Sequence, residues 1–182
     1  MIDSPRISAV TVPGIDGSGP GHWQTLLDAD PTFLRIQPAS WSDPVLDDWI
    51  AALDRAVAVA DHPVLVAHSL GTLAVAHWAA RPDRSPVAGA LLVAIPDPAG
   101  PGFPTTAGTF REPPLTPLPF PSIVVASTND PYDTEGVAAG YAEAWGSRFL
   151  DLGDVGHINT DAGYGEWPLA KTLIDSLHRS AG

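Results

Sequence analysis

Cysteine is missing from all 182 residues, which excludes disulfides, thiolate nucleophiles and cysteine-based zinc sites. Positive charge is scarce. Nine Lys and Arg stand against 21 Asp and Glu, a formal net charge of -12. A surface of that sign repels phosphate backbones and anionic bilayers, so neither nucleic acid nor a membrane is expected as a partner. No acidic block is long enough to form a tail, and the excess charge reads as solubility. Long apolar runs are also absent: none approaches the roughly 18 residues that suggest a membrane span. The opening MIDSPRISAV lacks the basic-then-apolar layout of a secretory signal, so a cytoplasmic protein is expected. The six histidines show no metal-ligand spacing, and His77 reads as one side chain on an amphipathic helix. Neither a metal nor a cofactor is expected. With no visible internal repeat, the length fits one domain over residues 1–182.

What is present is an alternation of apolar runs and helix-periodic segments. ISAVTV, FLRIQPA, PVLVAH, VAGALLVAI, PSIVVAST and RFLDLG read as strands. Between and after them, HWQTLLDAD, DPVLDDWIAALDRAVAVADH, LGTLAVAHWAAR, TEGVAAGYAEAWG and the stretch around WPLAKTLIDSLHRS read as helices. In the second helix Val45, Leu46, Trp49, Ile50, Leu53 and Val57 fall on one face; Asp43 is expected to cap it, with Pro44 in its first position. Strands that alternate with helices and read as continuous apolar runs imply a doubly wound, mainly parallel sheet of about six strands with helices on both faces. Residues 96–121, PDPAGPGFPTTAGTFREPPLTPLPFP, break the rhythm: so much proline forbids an interior helix or central strand. They are expected to form an ordered surface excursion that flanks the pocket, with Phe103, Phe110 and Leu115 as its wall.

In open sheets of this kind ligands bind beyond the carboxyl ends of the strands. The segments standing there are PGIDGSGPGHWQ, HSLG, PDPAGPGFP, TNDPYDT and DVGHIN, and they hold Ser69, Asp130 and His157 in that chain order. Serine, aspartate and histidine in this order are what an α/β-hydrolase uses. A serine hydroxyl reacts only when it is exposed, aligned with a base and close to donors for the developing oxyanion. A sharp strand-to-helix turn meets all three needs, and it crowds the residues two before and two after the serine. Here those are Ala67 and Gly71, against the usual G-x-S-x-G. Such a turn aims the Leu70 N–H at the reacting carbonyl, and the Gly-rich loop after the first strand should add a second donor from Ile15 or Asp16. The spacing of Gly14, Gly17 and Gly19 matches neither the dinucleotide nor the P-loop fingerprint. His22 is a candidate pocket residue, His68 is expected to orient the elbow, and Trp167 to pack under the His157 loop. Asp154, then Asp133, compete with Asp130, while Asp151 belongs to a strand.

The stretches VPGIDGSGPGHWQ, VLVAHSLGTLAVAHWA, LPFPSIVVASTNDPY and AEAWGSRFLDLGDVGHINTDAGYGEWP together resemble the small serine hydrolases related to retinoblastoma-binding protein 9. That resemblance implies a compact α/β-hydrolase without a cap domain, Ser69 as nucleophile, His157 as base and Asp130 as its partner. It also implies hydrolysis of small esters or amides. The retinoblastoma-pocket motif associated with that family's name needs a cysteine, so no such partner is expected here. A small-molecule ester or amide substrate is therefore the leading expectation. A non-catalytic binding protein on the same fold, and acyl transfer or cyclisation by the same three residues, remain alternatives. The oligomeric state stays open.

Overall fold

The computed structural model describes residues 5–180. Six strands form one parallel sheet: β1 (Ala9–Val12), β2 (Phe33–Arg35), β3 (Val64–His68), β4 (Gly89–Val93), β5 (Ser122–Ala126) and β6 (Arg148–Asp151), in spatial order β2-β1-β3-β4-β5-β6. Five helices accompany them: α1 (Trp23–Leu27), α2 (Leu46–Ala58), α3 (Leu70–Ala79), α4 (Val137–Trp145) and α5 (Pro168–Ser180). This is the α/β-hydrolase architecture expected from the sequence. Among the described residues no helix is long and apolar enough to cross a membrane.

Both sheet faces are covered, and strand residues alternate between two cores because a strand turns over every second residue. Val10, Val12, Leu65, Ala67, Ala90, Leu92 and Val124 pack with α2, α3 and α4 around Trp49, Trp78 and Trp145. Ala9, Val64, Val66, Leu91, Val93, Ile123 and Val125 pack on the other face with Trp23 of α1 and with Ala170, Leu173, Ile174 and Leu177 of α5. Helix α3 is buried all round except at His77, which explains its nearly uniform apolar sequence.

Two local expectations are corrected. Helix α2 begins at Leu46 after Val45, beyond Asp43 and Pro44, and no side chain at the cap position closes it. Its Leu46 N–H is instead met by the Thr109 hydroxyl at 3.1 Å, so a distant segment supplies the cap. The 96–121 segment is also more than a surface excursion. It forms a 3₁₀ segment, Thr105–Phe110, and buries Phe103, Ala107 and Phe110 in the core, with Phe110 edge-on to Trp49 at 5.2 Å.

The chain leaves β1 for β2 on one side and returns to β3 on the other, so a crevice opens between the ends of β1 and β3. Gly71 governs how tightly it closes. A Cβ there would collide with the Val12 carbonyl oxygen and lie 2.6 Å from that of Pro13, and both obstacles are backbone. Gly71→Ala should therefore destabilise by about 3 kcal/mol or more, the upper range for overpacking, with a fall in Tm of roughly 6 to 12 °C. Gly140→Ala, a helix-interior change with nothing within 4 Å of the new methyl group, should raise stability by about 0.5 to 1 kcal/mol in the same denaturation series.

Candidate active site

Ser69 follows β3 directly, with φ 53° and ψ −127°, a strained conformation for a residue other than glycine. The strain is held by hydrogen bonds on both sides. The Ser69 N–H donates to the Val93 carbonyl at 2.9 Å, and the Thr72 N–H and hydroxyl donate to the Ser69 carbonyl at 2.9 and 2.7 Å. As the chain turns here into α3, the Leu70 N–H becomes the first of the helix, where it has no acceptor within its own helix.

His157 stands on the loop after β6, and its Nε2 lies 2.9 Å from Ser69 Oγ. Its Nδ1 lies 2.9 and 2.8 Å from the two carboxylate oxygens of Asp130, which is 3% exposed on the loop after β5. A carboxylate accepts, so the proton sits on Nδ1, and the lone pair of Nε2 faces the serine hydroxyl. The competing acids are engaged elsewhere. Asp133 accepts the first two N–H groups of α4, from Val137 at 2.7 Å and Ala138 at 3.2 Å, and Asp154 accepts the Thr128 hydroxyl. Asp133 is buried, and desolvation raises its pKa against those two hydrogen bonds.

The loop after β1 faces the elbow. A Cβ at Gly14 would lie 2.9 Å from Ser69 Cβ, so only glycine permits this approach. Gly17 N–H bonds to the Gly14 carbonyl at 3.1 Å with Asp16 at φ 63°, a tight turn of type II character. Asp16 is corrected as an oxyanion donor: its N–H already bonds to the Trp41 carbonyl at 2.9 Å. The Ile15 N–H is the candidate that remains. Arg35 tethers the loop by donating to the Ser18 carbonyl at 3.1 Å.

A cavity of about 540 Å³ opens above Ser69, lined by Ile15, Asp16, His22, His68, Leu70, Pro96, Gly102, Pro104, Tyr132, Asn159 and Asp161. The 96–121 segment thus reaches the pocket, though through other residues than expected. Phe103 and Phe110 turn into the core, and Leu115 is 66% exposed beside a separate groove with Arg111 and Tyr141. Apolar burial draws the two phenylalanines inward and leaves the prolines as wall. Tyr132 went unnoticed in the sequence, yet its ring lies 4.5 Å from that of His157, and its N–H donates to Asp130 Oδ1 at 2.9 Å. Its place two residues after Asp130, past Pro131, was the available signal.

His22 lines the pocket, with its Nδ1 accepting the Gln24 N–H at 3.2 Å at the start of α1. Its ring meets His68 at 4.8 Å, and His68 meets His157 at 4.9 Å. Trp167 packs on Trp23 at 5.1 Å.

A family model described as serine hydrolase matches residues 9–176. Among solved structures, a YdeN-like hydrolase from Pectobacterium atrosepticum is 30% identical with a TM-score of 0.84, over 97% of this chain and 92% of that one. The ydeN gene product of B. subtilis is 20% identical with a TM-score of 0.77, over 93% and 97%. The esterase domain of a Rhodothermus marinus protein, 18% identical with a TM-score of 0.70 over 100% and 90%, shares the fold. No curated protein matches in sequence.

Burial lowers the pKa of His22 from 6.5 to about 4, with help from Arg35 and His157, and lowers that of His68 well below its ordinary range. The unfolded chain therefore takes up protons at these positions below about pH 6.5 while the folded chain does not, so stability falls with pH in that window. Urea midpoints should drop between pH 7 and 4.5, and His22→Gln should flatten that slope. A slope that His22→Gln leaves unchanged would assign the acid loss to other groups.

Proposed function

The chain belongs to the serine hydrolase family, and on that premise we propose that it hydrolyses a small ester or amide through an acyl-enzyme on Ser69, with His157 as base and Asp130 as its partner. The observation that carries this reading is the unbroken hydrogen-bonded path from the Asp130 carboxylate through both nitrogens of His157 to Ser69 Oγ. As Oγ attacks the substrate carbonyl carbon, its proton passes to Nε2. The charge that gathers on the carbonyl oxygen meets the N–H groups of Leu70 and Ile15. Collapse of the tetrahedral intermediate expels the alcohol or amine, which leaves with the proton from Nε2. Water then gives a proton to Nε2, attacks the acyl carbon and releases the acid, and Ser69 recovers its hydrogen.

The pocket supports a small substrate. Its volume of about 540 Å³ lies in the range of single small-molecule sites, and Pro96, Gly102 and Pro104 form part of its wall. Among the described residues no lysine or arginine lines it, while Asp16 and Asp161 do, so a substrate bearing a free carboxylate is disfavoured. Within the family, the four quoted stretches support a relation to the retinoblastoma-binding protein 9 group.

A serine-directed fluorophosphonate should label Ser69, and Ser69→Ala should lose both label and turnover of a short p-nitrophenyl ester. Labelling at another serine would sink the assignment. Asp130→Asn should fold and lose up to about 10⁴-fold in kcat, while Asp133→Asn and Asp154→Asn stay within roughly tenfold, about 1.4 kcal/mol of barrier. A severe loss in Asp154→Asn beside a mild one in Asp130→Asn would reassign the acid.

A further inference from the structure

The loop that carries His157 holds a conformation its sequence resists. Ile158, next in the chain, is fully buried and β-branched, yet its φ is 49°, in the left-handed region that such residues avoid. Strain of this kind persists only where the surroundings impose it. Two ring N–H groups from outside the loop grip consecutive carbonyls at this point. His68 Nε2 lies 2.9 Å from the His157 carbonyl oxygen, and because a carbonyl only accepts, Nε2 carries the proton. Trp23 Nε1 donates to the Ile158 carbonyl at 2.9 Å.

The donors are themselves fixed. Trp23 and His68 meet edge to face, 6.0 Å apart at 85°, with Trp167 packed on Trp23 and His22 against His68. Gln24, the next residue of α1, donates to the Val66 carbonyl at 2.9 Å and so ties this helix to β3. The sequence HWQ at residues 22–24 thus places three buried side chains on the pocket wall, the base loop and the sheet.

The geometry points to Trp23 and His68 as positioning residues: their ring N–H groups clamp the carbonyls of His157 and Ile158 and so aim the His157 imidazole at Ser69. The inference rests on the reading of His157 as the base. Without the clamp Ile158 relaxes towards negative φ, the peptide between residues 157 and 158 swings, and the imidazole pivots about its Asp130 contact away from Oγ.

Trp23→Phe and His68→Leu keep apolar bulk and remove the donor, whereas His68→Gln returns an N–H at similar reach. On a short ester the first two should lower kcat by about 10- to 100-fold with KM within about threefold, as expected for a misplacement of about 1 Å. His68→Gln should recover to within about fivefold of the wild type by the same scale. The downfield proton signal of the His157 Nδ1–H bonded to Asp130 should shift or broaden in Trp23→Phe and His68→Leu and return in His68→Gln. Folded variants with lowered Tm but wild-type kcat and an unmoved signal would overturn the inference. If His68→Leu does not fold, Trp23→Phe decides by the same two measurements. Ser69→Ala and His157→Ala run alongside separate the two failures. If those retain activity, the triad reading falls; if they are inactive while Trp23→Phe matches the wild type, only the clamp falls.

Discussion

The loop after β1 and the turn after β3 meet backbone to backbone, and the geometry of the site follows from that contact. Gly14 brings one side in, since a Cβ there would press on Ser69 Cβ at 2.9 Å. Gly71 brings in the other, since a Cβ there would strike the Val12 and Pro13 carbonyl oxygens. With no side chain between them, the start of α3 sits over the end of β1, and Leu70 and Ile15 both line the cavity above Ser69. The strained backbone of Ser69 fits the same constraint. It exposes the hydroxyl, and its hydrogen bonds to Val93 and Thr72 offset a cost of roughly 1 to 3 kcal/mol.

Three imidazoles stand in line at this contact, and their partners separate them. His157 faces a carboxylate, which fixes its proton on Nδ1 and would balance the charge of an imidazolium. His68 faces a carbonyl, which makes it a donor, and His22 faces an amide N–H, which makes it an acceptor at Nδ1. Burial depresses the pKa of both His22 and His68, so in the proposed reaction neither would compete with His157 for the serine proton. One residue type thus fills three roles, set by the acceptor or donor that each ring meets.

The fold was legible because each strand is a continuous apolar run with its own helix, and the order of runs and breaks sets the topology. Ser69, Asp130 and His157 were legible because strand ends mark the ligand side of such a sheet. Their contacts with one another are long-range, and only the structure brings them to hydrogen-bond distance. What sequence reasoning missed is of the same kind. Local turn chemistry suggested Asp43 as a cap for α2, but the Thr109 hydroxyl, 63 residues from Leu46, does that work. Phe103 and Phe110 looked like pocket walls because they lie in a loop, yet this loop packs on α2 and α3 and buries its aromatics in the core there. No local signal assigned the Asp16 N–H to the Trp41 carbonyl.

The chain order of the three residues also follows from the sheet. Ser69 stands one residue beyond the end of β3, Asp130 four beyond β5, and His157 six beyond β6. Neighbouring strands lie about 4.8 Å apart, so β5 is roughly 10 Å from β3 and β6 roughly 14 Å. An extended chain covers about 3.3 Å per residue, so each loop is long enough to return to Ser69 with little to spare once it turns. The distance to be crossed grows with each strand, and the spacing grows with it. A loop of the length that carries His157 would wander if left free, and it is tied on both sides. Gly156 N–H bonds to Asn129 Oδ1 at 2.6 Å and Val155 N–H to Ser127 Oγ at 3.0 Å on the side of the acid loop, while Trp23 and His68 hold it from the other. The residue farthest from its partner in the sheet is therefore the one that needs the most anchoring from outside its own loop.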